Sequence, residues 1–144
     1  MSKGNTFEND LLKLIFNATA IANLADNAGT GPLTNLYVAL HTADPGEAGT
    51  QDTNEADYTS YARVAVARTS GGWTVSGNQA ENAAEVAWPE ATGGSNTITH
   101  WSIGVASSGT TKILYSGART GGGLAVSTGI QPTAAAGALV VTED

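Results

Sequence analysis

The chain of 144 residues contains no cysteine, which excludes thiolate zinc sites, thiol nucleophiles and disulfide frameworks together and leaves the redox compartment open. Cations are scarce as well. Six Lys and Arg residues face thirteen acidic ones, for a formal net charge of −7, and Lys3, Lys13, Arg63, Arg68, Lys112 and Arg119 are scattered along the sequence. A nucleic-acid-binding domain needs a basic patch that displaces phosphate counterions, and this distribution offers none. No apolar run approaches the roughly 18 residues that span a bilayer, and no leader of cation, apolar core and small-residue cleavage site is visible. The expectation is a protein with neither nucleic-acid nor membrane partner, cytosolic when made. Charged residues make up only 13% of the chain and eighteen residues are glycine, a composition that predicts short strands, tight turns and a small-residue surface suited to permanent protein contacts.

The most informative segment is LYVALHTADPGEAG, residues 36–49. Leu36, Val38 and Leu40 alternate with Tyr37, Ala39 and His41, the period of a half-buried strand. Asp44-Pro45-Gly46 then stops it. Aspartate bonds its own backbone two residues on, proline presets φ, and glycine accepts positive φ.

Upstream, Phe7, Leu11, Leu14, Ile15 and Ala18 recur at helical spacing, with Asn5 or Thr6 as cap and Glu8 and Asp10 at the positive end of the dipole. This predicts one amphipathic helix over about residues 6–24, ended by Asp26-Asn27-Ala28-Gly29 and Gly31-Pro32. Everything after it reads as strand, near 36–41, 61–68, 72–75, 85–88, 97–106, 112–116, 124–126 and 138–142. The fold class is mainly β, a sandwich or jelly roll with one N-terminal helix. Two parts are expected: a helical arm, 1–28, and a β-sandwich domain, 29–144.

Residues 43–60 carry Asp44, Glu47, Asp52, Glu55 and Asp57 with no cation and few large apolar side chains, so they read as an exposed excursion. Asp52, Asn54, Glu55 and Asp57 supply oxygen donors for calcium, but the glycine and terminal glutamate of an EF-hand loop are missing. His41 and His100 are the only histidines. Ser102 and Asp44 lie near them in sequence, yet no nucleophile elbow frames a triad, and each imidazole is expected to bond a neighbouring strand or water. Glu81, Glu85 and Glu90 are read as surface charges rather than a glycosidase pair. Gly121-Gly122-Gly123 lacks the lysine and helix of a phosphate loop and reads as a hairpin tip. At least two of Trp73, Trp88 and Trp101 are expected to anchor a core or a subunit contact; an exposed one would indicate a sugar or partner site. No catalytic, cofactor-binding or metal-binding residue is expected.

Several motifs together carry a family resemblance: FENDLL at 7–12, the LYVALHTADPGEAG turn at 36–49, YARVAV at 61–66, Trp88-Pro89, TITHWSIG at 97–104 and the terminal Thr142-Glu143-Asp144. The chain resembles small virion structural proteins of tailed bacteriophages, variously tail-fibre, minor tail or decoration proteins. The resemblance spans nearly the whole chain and is most specific at the HTADPG turn and the YAR strand. It implies a nonenzymatic particle component, located in the virion and made in the host cytoplasm, with no catalytic residues to carry over. Because neither coiled-coil heptads nor long repeats of a fibre shaft are present, the expectation is a capsid decoration, or cement, protein. It would be a homo-oligomer, trimer or dimer, partnered by the major capsid protein and other virion proteins, with Phe7, Leu11, Leu14 and Ile15 as the binding stripe of the arm. The alternative is a tail-fibre, minor tail or head-fibre module that touches the host surface.

Overall fold

The computed structural model describes residues 3–21, 24–26 and 31–143. Among these described residues there are one helix, α1 (Asn5–Asn17), and eleven strands. In chain order these are β1 (Asn35–His41), β2 (Val64–Ala67), β3 (Trp73–Ser76), β4 (Gln79–Asn82), β5 (Val86–Ala87), β6 (Ser95–Ile98), β7 (His100–Gly104), β8 (Ile113–Ala118), β9 (Leu124–Ser127), β10 (Thr133–Ala134) and β11 (Val140–Thr142). The class is the one expected, mainly β and sandwich-like with one N-terminal helix. Its sheets run β2-β1-β7-β8, β11-β4-β3, β6-β9 and β10-β5, and the registered pairs are antiparallel. Contacts group the chain into two compact units, one of residues 1–35, 66–85 and 135–144, the other of residues 36–65 and 86–134.

In the first unit, α1 is held by Leu12 and Phe16, both fully buried, with the Phe16 ring 4.8 Å from that of Trp73. The helix ends seven residues before the expected limit of 24, whose residues 22 and 23 lie outside the described ones, as do 27–29 of the expected loop. Ala18 turns left-handed at φ 53°, and the Thr19 amide donates back to the Lys13 carbonyl at 3.1 Å. This closure is one that glycine usually makes, and no glycine marks it. No basic residue stands in the last turn of α1. Arg68 supplies the missing charge, its Nε and Nη2 donating to the carbonyls of Ile15 and Leu14 at 2.7 Å each and its Nη1 to that of Leu33. A cation there satisfies orphan carbonyls and complements the dipole. β3 and β4 form a hairpin across Gly77, and β11 pairs on the other edge of β4.

In the second unit, β7 pairs β1 on one side and β8 on the other. The expected single strand 97–106 is two strands interrupted at Thr99, so β6 pairs β9 while β7 stays with β1 and β8. Residues 119–123 are therefore a connection between two sheets rather than a hairpin tip. Gly121 and Gly122 hold φ near +87° and +81° there, and Arg119 donates to the Gly122 carbonyl. Trp88, Ile98, Ile103, Val38 and Val126 are buried, and the Trp88 Nε1 donates to the Val38 carbonyl at 3.1 Å.

Candidate functional site

The chemistry-bearing side chains of this protein collect in the second unit, beneath the stretch expected to be solvated. Residues 43–60 fold down instead: Gln51 is fully buried, Ala56 is 4% exposed and Tyr58 2%. The turn that starts them is the predicted one, with Asp44 Oδ1 accepting the Gly46 amide at 2.9 Å and Gly46 at φ 70°. Beyond it, Thr42 donates to the Asn54 carbonyl and Ala56 to that of Leu40, both at 2.8 Å, so the stretch adds to the end of β1. The Gln51 amide donates to the Thr111 carbonyl. The correction has a physical reason: most of the acids remain at the surface, and the one drawn inward, Glu55, meets a cation from outside the stretch.

That cation is Arg63, its side chain 1% exposed. Nε donates to Glu55 Oε1 at 2.7 Å and Nη2 to Oε2 at 2.8 Å, the bidentate fork that arginine geometry favours. Nη2 also donates to the Gly109 carbonyl, and Nη1 to the Ala106 carbonyl, Thr111 Oγ1 and, at 3.4 Å, Gln51 Oε1. Its bond to Glu55 raises the Arg63 pKa. Tyr61 donates to Glu55 Oε1 and accepts the Leu40 amide, and burial pushes its phenol far up.

Beside this fork lies His41, with no exposed surface. Its Nδ1 is 2.9 Å from the Thr53 carbonyl and its Nε2 2.7 Å from Ser102 Oγ. A carbonyl only accepts, so Nδ1 carries a proton, and in the neutral imidazole Nε2 then accepts from the serine hydroxyl. Gln51 Nε2 donates in turn to the Tyr37 carbonyl at 2.9 Å and to Ser102 Oγ at 3.5 Å. Desolvation lowers the His41 pKa below its ordinary 6.5. The fold has thus brought together the serine and histidine weighed as a dyad. Both are sealed, however, a backbone carbonyl stands where an orienting carboxylate would be, and Asp44 is spent on its own turn. Such an arrangement fixes strands in place and admits no substrate.

The other candidates are separate from this cluster. Asp52 accepts from Thr110 and Thr50, bonds that lower its pKa, while Asp57 accepts from Asn96 Nδ2 at 2.8 Å. The possible calcium donors are therefore each tied to a different partner. His100 Nδ1 is 2.9 Å from Thr99 Oγ1, and Glu81 accepts from Gln79. All three tryptophans are buried, Trp101 the most exposed at 6%. Phe7, Leu11, Leu14 and Ile15 share one face of α1; it is distinct from the buried face of Leu12 and Phe16, and Phe7 stays 40% exposed.

The fold and this cluster define a mainly β protein whose buried polar side chains tie its own backbone together. The family described as podophage GP4 fiber I protein gp80 matches residues 2–142, and the chain belongs to that family. It is accordingly a structural protein of the tailed-phage virion, of fibre type. No curated protein matches it.

Proposed function

We propose that this protein is a nonenzymatic module of a virion fibre, attached to the particle through other virion proteins, and that the fibre reading replaces the capsid-decoration expectation. The observation that carries it is the fibre family match across residues 2–142. The absence of shaft repeats is compatible with a fibre, because a terminal or joining module needs none. The nonenzymatic part is supported by the sealing of His41 and Ser102, each without exposed surface. Quantitative mass spectrometry of purified virions against the major capsid protein tests the assignment. A few to a few dozen copies per particle is the fibre result; hundreds of copies would return the protein to the shell.

The contact we assign to α1 is with the same helix of a neighbouring copy. Phe7, Leu11 and Leu14 are spaced four and three apart, the spacing of a helix-to-helix seam, and they lie off the face that Leu12 and Phe16 bury. Leu11→Glu paired with Leu14→Glu should dissociate the oligomer in sedimentation velocity while leaving the circular dichroism of the β fold unchanged. An oligomer indifferent to both changes removes this contact.

A further inference from the structure

Every donor and acceptor around His41 is oriented in one direction. Gln51 Nε2 donates to Ser102 Oγ, the serine hydroxyl donates to His41 Nε2, and His41 Nδ1 donates to the Thr53 carbonyl. This order belongs to the neutral imidazole; a protonated Nε2 would donate to Ser102 Oγ instead and leave the serine hydrogen to find another acceptor. The Thr53 bond is one of those that hold residues 50–56 to β1, with Thr42 to Asn54, Ala56 to Leu40, Gln51 to Tyr37 and the bridge of His41 with Glu55, while Glu55 to Arg63 and Gln51 to Thr111 tie the same residues elsewhere in the unit. We propose that residues 50–56 form a strap latched onto the end of β1 by the neutral His41 side chain, and that protonation of this imidazole releases the strap.

The surrounding charges favour release over accommodation. From the strap come Asp52, engaged with Thr50 and Thr110, and Glu55, whose two oxygens already hold Arg63 and Tyr61. Arg63 itself is positive, and His100 faces from β7, directly across from His41 in the register. An imidazolium at this position has a donor aimed at a hydroxyl that must now turn away, no free carboxylate, and no water contact. Opening the strap restores hydration. The pKa direction agrees with this, since burial already disfavours the charged form.

Linkage sets the size of the effect. Below the ordinary histidine value of 6.5 the open form takes up a proton that the closed form refuses, so the opening constant rises by up to about tenfold per pH unit, reaching ~16-fold between pH 6.5, where the open form is already half protonated, and pH 5.0. Amide hydrogen exchange on the full chain at several pH values, divided by intrinsic chemical rates, reads it directly. The amides of Thr42, Gln51 and Ala56 should accelerate by that factor through an opening that low concentrations of urea barely promote, whereas the amides of β3 and β4 exchange only through urea-sensitive unfolding, and His41→Gln should abolish the acceleration. If His41→Gln does not fold, the 15N shifts of the imidazole in the native protein decide, since charging of His41 must run in step with strap exchange. The proposal is overturned if strap exchange responds to urea as steeply as that of the β3–β4 amides, if the acceleration survives in His41→Gln, or if His41 titrates with the strap still protected.

Discussion

Ala18 shows how a single residue sets an element boundary against local preference. It sits at φ 53°, where a Cβ costs roughly 1–2 kcal/mol, and glycine would remove that strain at some cost in unfolded-chain entropy. Ala18→Gly should therefore raise stability by about 0.5–1 kcal/mol, read as a higher urea midpoint at unchanged slope. Two tryptophans offer a second comparison at this scale. Trp88 and Trp73 are equally buried, but Trp88 donates its Nε1 to Val38, whereas Trp73 Nε1 has no partner among the described residues. Replacing each by Phe removes a similar area, but only Trp88→Phe leaves a carbonyl without its donor. Trp88→Phe is expected to cost about 1 kcal/mol more than Trp73→Phe in the same denaturation series.

Among the elements, the strands around 36–41, 72–75 and 138–142 were legible because alternation and turn residues mark them. The short pairs were not. β4 (Gln79–Asn82) alternates, but with Ala80 as the only apolar residue among polar ones, and β10 is two residues long, so pairing rather than propensity creates both. The helix was legible in kind but not in facing. Leu12 and Phe16 stand four apart, as do Phe7 and Leu11, and periodicity alone cannot choose between two apolar faces; packing on Trp73 chooses. The stretch 43–60 was misread because composition counts its acids and misses a cation eight residues downstream from Glu55. Arg63→Ala should thus cost about 3–5 kcal/mol, the expected loss when one member of a buried pair is left alone, measured by chemical denaturation. Gly104→Ala tests the same element by shape. A Cβ there would stand 2.1 Å from the Gln51 side chain, and displacing that buried amide is expected to cost about 1–3 kcal/mol.

For the molecule as a whole, the titrating groups define a stability plateau. The lowered His41 pKa means that the unfolded chain binds the proton more readily, so stability is full above about 6.5 and falls as pH drops from there toward the depressed folded value. On the alkaline side the signs reverse. Tyr58 is pushed up to about 12 by burial and Tyr61 further, so their contribution is full below 10 and is lost as pH rises through the folded values. Thermal unfolding across the pH range should give a flat top between roughly 6.5 and 10 with a decline on each side. The Arg63 fork carries one more consequence, in time rather than in equilibrium. It joins Gln51, Glu55, Ala106, Gly109 and Thr111, all outside the strands and up to 48 positions away in the chain, and contacts of such long sequence separation are expected to close late in folding. An interaction absent from the transition state leaves the folding rate alone and slows unfolding. A particle part that waits outside its host, with no chaperone to repair it, is thereby held by the slowness of its first step apart.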